Sequence, residues 1–534
     1  MDLTQIKKRS SDAWSRRANW DDVVGDAYDF VIPNRRPGGS GRSPRVSNLL
    51  FDMTGPSAAM HFAGNLQRDL FPSGQPTFTL ETGPVAKMAL PEKQVTAYNR
   101  FLEKVAKMIH PFFLAGDWDT AVHETCIDLS VGTGAILPLK GTSNDPIIFA
   151  SIPIDQIAVL VDMAGRVIYV SWKQSFTYDQ IIEAFPKGKF PEGFKEKARS
   201  QPSATVELFQ DFYQKPGGRR AGWKFIAYVN DSVEPIDQED YKTQPIAVPR
   251  YYRVPGEAMG RGVVLTALPT IKTVNKAQEI ALKSAAIQML GIWGYRSGGT
   301  FNPDTVRLGA GEFWAMQSTG GILGPDVQRM DPAGGRMDVS KLLIGNLQDQ
   351  IREDMLDTRL PEYQGTPKAA SEIAARLRQR ADVHIGAFGR LVREIMPVIV
   401  PRVAEILFDF KHLTQLPMTI DELLVSIKVQ SPMAAALNAD RLAAIANYIE
   451  FVGAVAGPEQ TELYVNMDKV LERVGDGLQI DKDLIPDENE KAAIEKKIQG
   501  RQNAQLLHMF GAEMAKKAPD MIAQAATQPQ VQAA

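Results

Sequence analysis

The sequence predicts an α+β fold that is mainly helical, and the hydrophobic pattern indicates this in three stretches. Apolar residues recur at helical spacing through the first 135 residues, alternate at strand spacing to about residue 250, and return to helical spacing afterwards. The chain has 534 residues, 44% of them hydrophobic and 23% charged, which is typical of globular rather than disordered or fibrous proteins. At roughly 150 residues per unit, this length predicts about three to four structural units.

Helices separated by polar loops are predicted in the N-terminal region. The first covers residues 16–32, where Trp20, Val24 and Val31 recur at helical spacing, and it ends before Pro33. A loop rich in glycine, proline and arginine follows it. Further helices are predicted at 57–70, 92–109 and 118–129.

Two β-hairpins are predicted in the stretch of alternating apolar residues. The first joins 157–162 to 166–172 through a turn at Met163-Ala164-Gly165. The second joins 205–214 to 223–230 through a tip with the sequence PGGRR. Because these loops are too short for parallel crossovers, we expect antiparallel pairing.

Two long helices separated by nearly 50 residues of low helical propensity follow the strands. The first covers 262–290 with an interruption at Pro269, and the second covers about 338–358 with Asp338 as a candidate N-cap. This arrangement suggests a stalk of two helices with a small Gly/Pro-rich module between them. The residues expected to face inward in the first helix are Ile271, Val274, Ile280, Ala281 and Ala285. The second helix is expected to run through the apolar residues Leu342, Leu343, Leu347, Ile351 and Met355.

The C-terminal part is again predicted to be helical. A helix over 368–410 is expected to begin after Thr366 and Pro367 and to be kinked at Pro397 and Pro401. A short strand at 424–431 follows, and the remaining helices are predicted at 434–455, 458–474 and 488–521.

The composition argues against several classes of protein. Lys and Arg number 60 against 63 Asp and Glu, a net charge of -3, whereas proteins that grip nucleic acid over a broad surface usually carry a basic excess. The single cysteine, Cys126, excludes an intramolecular disulfide framework and multi-cysteine metal sites, and it fits a reducing compartment. Neither a signal peptide nor a membrane-spanning helix is expected. The basic positions Arg35, Arg36, Arg42, Arg45, Arg219 and Arg220 lack interleaved aromatics, so solvated loops or pairing between subunits are favoured over nucleic-acid contacts.

No catalytic, cofactor or metal site is predicted from motifs. His123-Glu124 begins like a zinc-binding helix, but Ile127 stands where the second histidine is required. The sequence also lacks a phosphate-binding loop, a dinucleotide fingerprint and a nucleophile elbow. Two acidic clusters could hold Mg²⁺, although carboxylates at such spacings on helices are usually solvated: Asp117, Asp119 and Glu124, and Glu353, Asp354 and Asp357.

Several separated motifs, taken in order, resemble the portal or head-to-tail connector proteins of short-tailed bacteriophages. Where that family often has a tryptophan after its Phe-Pro, this chain has Pro76-Thr77-Phe78. Arg376 lies one turn after the ASEI motif at 370–373. The resemblance spans about residues 15 to 500, and it rests on Trp20 with IP at 32–33, LFP at 70–72, PIAVPR at 245–250, GEAMGRG at 256–262, ASEI at 370–373 and VGDGLQID at 474–481.

The resemblance implies a portal-like subunit with an α/β wing, a two-helix stem, a small clip, a channel loop and a helical C-terminal crown. The implied ranges are 1–259 for the wing, 260–289 and 338–358 for the stem helices, 290–337 for the clip, 359–371 for the channel loop, 372–430 for a kinked wing helix and return strand, and 431–534 for the crown with a mobile C-terminal tail.

The resemblance also implies a function without intrinsic catalysis. Such proteins form rings, usually of twelve subunits, at one capsid vertex, and double-stranded DNA is packaged and ejected through them. Implied partners are the major capsid protein, a scaffold, the large subunit of a terminase that hydrolyses ATP, and a tail adaptor. The implied location is the virion, with assembly in the host cytoplasm, and neither a cofactor nor a membrane is involved.

Two groups of residues are candidates for contacts in such a ring. The channel loop would place Arg359, Tyr363, Gln364 and Lys368 near the DNA, where the arginine and lysine would steer the duplex, although both can equally sit at helix ends in solvent. The clip is too small to bury many aromatic residues itself, so some should lie in an interface, unless they form a small core of their own. These aromatic residues are Trp293, Tyr295, Phe301, Phe313 and Trp314.

Two other functions remain open at this point. One is a nucleic-acid-processing enzyme with a Mg²⁺ site at Asp117, Asp119 and Glu124, which predicts metal-dependent turnover. The other is a scaffold or adaptor that forms no conduit, which predicts monomers or small oligomers and leaves the two long helices unexplained.

Overall fold

The structure is a computed structural model, and the chain divides into two compact units, Met1–Ala436 and Leu437–Ala534. The residues that it describes are 2–37, 50–217, 222–290, 292–295, 327–330, 337–357, 370–413, 420–456 and a few positions between 464 and 499.

The predicted class, α+β and mainly helical, is confirmed. The helices are α1 Leu3–Arg17, α2 Asp21–Phe30, α3 Thr54–Leu70, α4 Pro84–Ala89, α5 Glu92–Ala115, α6 Trp118–Val131, α7 Tyr178–Ala184, α8 Phe194–Ser200, α9 Val264–Leu290, α10 Met337–Asp354, α11 Ala370–Asp409 and α12 Pro432–Ala456. The strands are β1 Phe78–Thr82, β2 Ile136–Lys140, β3 Ile147–Ser151, β4 Ile157–Val161, β5 Val167–Thr177, β6 Thr205–Gln214, β7 Trp223–Val229, β8 Asp237–Tyr241, β9 Ile292–Tyr295, β10 Val327–Met330 and β11 Val425–Val429.

Both predicted hairpins are present, and they join into one antiparallel sheet in the order β4-β5-β6-β7-β8. The sheet has two buried faces because side chains alternate along each strand. Val170 and Trp172 of β5 pack in the cluster that contains α7 and α8. Tyr169 lies on the opposite face, which α1 covers with Leu3 and Ile6. The sheet is therefore sandwiched between helices.

The predicted single helix over 16–32 is wrong at its start. Helix α1 ends at Arg17, a turn of 3-10 helix covers Ala18–Trp20, and α2 begins at Asp21. The two helices have different partners, because α1 packs on the sheet and α2 packs on α9, so the chain must turn between them. Two aspartates in the first turn of α2 favour a helix start at that point.

The strand predicted at 424–431 is present as β11, but its partner was missed. β11 pairs antiparallel with β1, with Phe78 opposite Val429 and Thr82 opposite Val425. Helix α5 also runs beyond its predicted end, past Pro111 to Ala115. The pairing of β1 with β11 joins segments nearly 350 positions apart, and such a contact leaves no trace in local periodicity.

The largest core lies among α3, α5, α6 and α11, and the inner parts of α9 and α10 contribute to it. An aromatic cluster stands at its centre, where the rings of Trp118 and Phe149 are 5.0 Å apart and those of Phe113 and Trp118 are 5.1 Å apart. Helix α11 contains Pro397 and Pro401 and buries apolar residues on both sides of them. The predicted kinks at these prolines stay predictions.

A buried carboxyl group lies between α1 and the sheet. Asp211 of β6 accepts hydrogen bonds from the hydroxyl groups of Tyr169, at 2.5 Å, and Tyr228, at 2.9 Å. Burial raises the pKa of Asp211 to about 6, although the hydroxyl groups of Ser171, Tyr169 and Tyr228 lower it. The folded state therefore favours the protonated acid more than the unfolded state does.

This raised pKa predicts that Asp211 makes folding depend on pH. Between its unfolded value near 3.8 and about 6, the folded chain binds more protons at this site, so stability should fall as pH rises through that window. The full effect is about 3 kcal/mol, because each pKa unit is worth about 1.4 kcal/mol. Asp211→Asn should remove most of this dependence in urea unfolding at pH 4.5, 5.5 and 6.5. Asp179→Asn, at an exposed acid, is the control, and equal pH profiles for wild type and Asp211→Asn would contradict the assignment.

Candidate functional site

Helices α9 and α10 pack against each other, and their inner parts are built into the main core. Ile271 and Val274 of α9 are buried, and so are Ile351 in the last turn of α10 and Met355 directly after it. The predicted interruption at Pro269 is wrong, since α9 runs through it. Pro269 lies in the second turn, so it removes only one backbone hydrogen bond.

Polar groups fasten the pair to the segment that precedes α3. The Asn275 side-chain oxygen accepts hydrogen bonds from the backbone nitrogens of Phe51, at 2.7 Å, and Asp52, at 3.1 Å. From the other helix, the Gln348 amide donates to the Asp52 carboxylate at 2.6 Å. These hydrogen bonds hold both helices to the same short segment of the subunit, at Phe51 and Asp52.

Further along the pair, apolar side chains are exposed. Ile280 and Leu282 of α9 are 56% and 51% exposed, and Leu342 and Leu343 of α10 are 69% and 57% exposed. The prediction that Ile280 faces inward is therefore wrong for the single chain. Only the inner parts of the two helices reach the core, so helical periodicity identified an apolar face whose outer part has no partner within the subunit.

The predicted start of α10 differs slightly from the observed one. Helix α10 begins at Met337, so Asp338 lies inside its first turn rather than at the N-cap. The helix ends at Asp354, a few residues before the predicted end, and Leu356 follows in a left-handed conformation with φ of 55°. A left-handed residue cannot continue a right-handed helix, which explains the earlier end.

The approach to α9 is a tight junction between backbones. A Cβ added at Gly262 would lie 2.1 Å from the Ser130 carbonyl oxygen, and one at Gly132 would lie 2.2 Å from the Gly260 carbonyl oxygen. Gly132 also has φ of 146°, a conformation that favours glycine. The glycines of the GEAMGRG motif therefore allow the chain to pass directly against the end of α6.

A methyl group at this junction should destabilise the subunit. Gly262→Ala is expected to lower the free energy of unfolding by about 3 kcal/mol, because backbone atoms rather than flexible side chains would have to shift. Gly345→Ala, at an open position in α10, should instead leave stability unchanged or raise it by about 0.5 to 1 kcal/mol. Urea unfolding of both variants measures this contrast, and equal stabilities would rule out the close contact.

A buried ion pair joins the same junction to α11. The Arg250 guanidinium, 2% exposed, donates to the Glu394 carboxylate at 2.7 Å and to the Gly165 carbonyl at 2.9 Å. The other oxygen of Glu394 accepts from the Arg250 backbone nitrogen at 2.8 Å, and Arg390 donates to the Tyr251 carbonyl at 2.9 Å. Arg250 ends the PIAVPR motif, but its pairing with Glu394 was missed because 144 positions separate the two residues.

The N-terminal arginines are paired within the subunit. Arg35 donates to Glu124 at 2.9 Å and to Asp128 at 3.1 Å, and Arg36 donates to Asp29 at 2.6 Å. The preference for solvated or intersubunit arginines is therefore wrong for Arg35 and Arg36, whose side chains are only 12% and 16% exposed. Arg42, Arg45, Arg219 and Arg220 lie outside the described residues.

The proposed magnesium cluster does not form at this place. Glu124 is engaged by Arg35, and burial raises the pKa of the neighbouring Asp128 to about 7 although Arg35 lowers it. Asp119 accepts a hydrogen bond from the Ser73 hydroxyl, and Asp117 adopts a left-handed conformation at the start of α6. Within the described part of the chain, there is no group of three acidic, histidine or cysteine side chains suited to a metal ion.

Most of the predicted contact residues lie outside the described part. Arg359, Tyr363, Gln364 and Lys368 do so, and so do Phe301, Phe313 and Trp314. Trp293 and Tyr295 belong to β9, which pairs antiparallel with β10, so that Trp293 stands opposite Arg329 and Tyr295 opposite Val327. Their roles stay predictions. None of the described helices combines the length and the apolar character needed to cross a membrane.

Comparison with known proteins identifies the family. The sequence matches the family model described as bacteriophage head to tail connecting protein over residues 3–485. Among solved structures, it is similar to a chain from the virion of a native gene transfer agent particle, with 12% identity, a TM-score of 0.35, and coverage of 83% of this chain and 92% of that chain. None of the curated proteins matches it. Because the family match spans most of its length, the chain belongs to the family of bacteriophage head to tail connecting proteins.

Proposed function

We propose that the chain forms a ring of twelve copies at one vertex of the capsid and that double-stranded DNA is packaged and ejected through this ring. Membership of the connecting-protein family makes the chain a structural component of a phage particle. The subunit number, the vertex position and the passage of DNA are the proposal. Assembly would take place in the host cytoplasm before the particle is complete.

The observation that supports a ring best is the exposed apolar surface on the outer parts of α9 and α10. Ile280, Leu282, Leu342 and Leu343 are each more than half exposed, although their helices are well anchored at the other end. Contiguous exposed apolar residues usually mark an interface. Packing of this helix pair against the pairs of neighbouring subunits would bury these side chains, and the same contact repeated around an axis closes a ring.

We assign the parts of the subunit to roles in this ring. The assignment keeps 1–259 as wing, 260–289 and 338–358 as stem, 290–337 as clip, 359–371 as channel loop, 372–430 as kinked wing helix and return strand, and 431–534 as crown. Observed helices α9 and α10 occupy the two stem ranges to within a few residues. The wing contains the sheet and the tight junction that leads into α9.

The charge balance fits a conduit. Each phosphate that a cation neutralises adds salt-dependent affinity, so a strongly basic bore would hold DNA instead of letting it pass. With a net charge of -3, the subunit avoids this, and Arg359 and Lys368 would steer the duplex at the channel loop, with Tyr363 and Gln364 beside them. Changing Arg359 and Lys368 to Ala should alter DNA packaging or retention, and unchanged packaging and retention would count against a channel role.

The remaining partners follow from the position of the ring. The clip, with the aromatic residues Trp293, Tyr295, Phe301, Phe313 and Trp314, would contact neighbouring clips and present a docking surface for the terminase and later the tail adaptor. The major capsid protein and a scaffold would contact the ring during assembly. Hydrolysis of ATP would belong to the terminase, so we propose no catalytic role for this chain.

Native mass spectrometry of the purified chain, with negative-stain images of the same sample, tests the proposal. Twelve subunits of 58.8 kDa would give a species of about 706 kDa with a central hole. A monomer or dimer at micromolar concentration would argue for an adaptor that forms no conduit. Metal-dependent nuclease activity that is lost in an Asp119→Asn variant would contradict a purely structural role.

A further inference from the structure

A cleft of about 970 Å³ lies between α11 and the ends of strands β5, β6 and β7. Its lining is strongly basic, with five arginines against two carboxylates, Asp162 and Glu394. These arginines are Arg166, Arg250, Arg253, Arg390 and Arg393. The cleft is part of the unit Met1–Ala436 and does not include the outer parts of α9 and α10 on which the ring proposal rests.

The arginines fall into two groups. Arg250 and Arg390 are used within the subunit, where they bind Glu394 and the Tyr251 carbonyl. Arg166, Arg253 and Arg393 are exposed, and no salt bridge joins them to a carboxylate in the described part of the chain. Three positive charges at the rim are therefore available to a ligand.

The base of the cleft holds a buried ion pair. Arg250 is 2% exposed, and its Nε and Nη1 atoms have no hydrogen-bond partner among the described groups. Only its Nη2 atom and backbone nitrogen are engaged. Because Glu394 offsets the charge of Arg250, the excess positive charge of the cleft comes from the other arginines.

Part of the α11 wall of the cleft is formed by glycines, which have no side chain. Gly386 and Gly389 line it one turn apart, and a Cβ built at either position has no neighbour within 4 Å. Glycine is unfavourable inside a helix, and packing within the subunit does not require it here. The two glycines leave room for an approaching backbone directly against the helix, beside Arg390 and Arg393.

Apolar side chains distinguish this cleft from a simple phosphate site. Val167, Trp223 and Val398 line it together with the arginines. A nucleic-acid backbone offers phosphates but no aliphatic groups to such walls, and duplex DNA is too broad to reach a base formed by a buried arginine. A polypeptide that carries both carboxylates and apolar side chains satisfies both features of the lining.

We propose that this cleft binds an acidic, partly apolar segment of a partner protein. Carboxylates of the segment pair with Arg166, Arg253 and Arg393 at the rim, while its apolar side chains pack against the walls and its backbone lies over Gly386 and Gly389. The lining shares no residue with the outer parts of α9 and α10, so failure of peptide binding and failure of ring formation can be told apart.

The binding is tested with the full chain and a fluorescein-labelled peptide of twelve residues in which Asp and Glu alternate with Leu. Fluorescence anisotropy should show saturable binding with a dissociation constant below about 100 μM, weakening as salt is raised. Arg253→Glu with Arg393→Glu should weaken it at least tenfold. Arg199→Glu, at an exposed arginine of α8 outside the cleft, should change it less than twofold.

A variant that fills the cleft tests the role of its shape separately from the role of its charge. Gly389→Leu should abolish peptide binding without changing any charge, and the open space at this position lets the side chain enter without disturbing the fold. Circular dichroism and the ring assay confirm folding of each variant. The proposal is overturned if the peptide does not bind, if it binds the variants as well as the wild type, or if a 20-base-pair duplex binds with the same dependence on Arg253 and Arg393 while the peptide does not.

Discussion

Replacing Leu342 and Leu343 with glutamate is expected to convert the proposed ring into single subunits. Both side chains are more than half exposed in the isolated chain, so the substitutions remove little buried surface from the folded subunit. In the ring they would be buried, where each leucine contributes roughly 1.5 to 3 kcal/mol and an unpaired carboxylate adds a larger penalty. Native mass spectrometry at micromolar concentration should then show a 58.8 kDa species in place of the assembly.

A matched control distinguishes a specific interface from a general effect of added charge. Met163→Glu with Val233→Glu introduces the same charge at two exposed apolar residues away from α9 and α10, and these changes should leave the ring intact. Far-ultraviolet circular dichroism should be similar in all three proteins, because the fold of the single subunit is unchanged. If the Leu342→Glu/Leu343→Glu protein still forms rings, the outer part of the helix pair is not the subunit interface.

Replacing Arg250 with methionine is expected to destabilise the subunit about as much as Gly262→Ala does. The change leaves Glu394 only 17% exposed with no guanidinium partner, and it removes the hydrogen bond to the Gly165 carbonyl. Breaking one side of a buried ion pair costs roughly 3 to 5 kcal/mol. Because Glu394 keeps some access to water, we expect a loss of about 3 kcal/mol in urea unfolding followed by tryptophan fluorescence.

The double variant Arg250→Met/Glu394→Leu tests whether the lost stability comes from the stranded carboxylate. An apolar pair of similar size removes the unpaired charge, so about half of the loss should be recovered. Recovery is partial because the Arg250 backbone nitrogen loses its acceptor on Glu394. If the double variant is less stable than Arg250→Met by a further 3 kcal/mol, Glu394 stabilises the junction through other contacts.

Two sets of contacts hold the pair of helices α9 and α10 in place on the subunit. The tight junction at Gly132 and Gly262, with the pair Arg250–Glu394, fixes the start of α9 relative to α11. Asn275 and Gln348 fix the helix pair to the segment before α3. A stiffly held helix pair with an exposed apolar end is suited to repeated packing around a ring, since little conformational freedom is lost on assembly.

The elements with strong periodicity were predicted closely from the sequence. The strands at 157–162 and 205–214 and the helix at 57–70 agree with β4, β6 and α3 to within a few residues. Each of these elements is marked by apolar residues that are close in sequence and belong to a core within the subunit. The errors lie elsewhere: at the turn between α1 and α2, in the run of α9 through Pro269, and in the burial of Ile280.

The errors at Ile280 and at Arg35 and Arg36 arise because the local sequence does not show which distant group a side chain will meet. Periodicity shows that a helix has an apolar face, but it does not show whether the partner of that face is the same chain or another one, as Ile280 and Leu342 demonstrate. Likewise, the arginines at 35 and 36 look like any solvated basic loop until Glu124, Asp128 and Asp29 are placed beside them.

Periodicity and motifs were sufficient to predict most helices and strands, the α+β class and the resemblance to the family. Those features depend on residues that are neighbours in the chain, where 3.6- and 2-residue spacing decides which side chains share a face. Three features became evident only in the folded chain: the pairing of β1 with β11, the Arg250–Glu394 ion pair and the arginine-lined cleft. These features join segments that are far apart in sequence, and their stability comes from burial and electrostatics that exist only once the chain has folded.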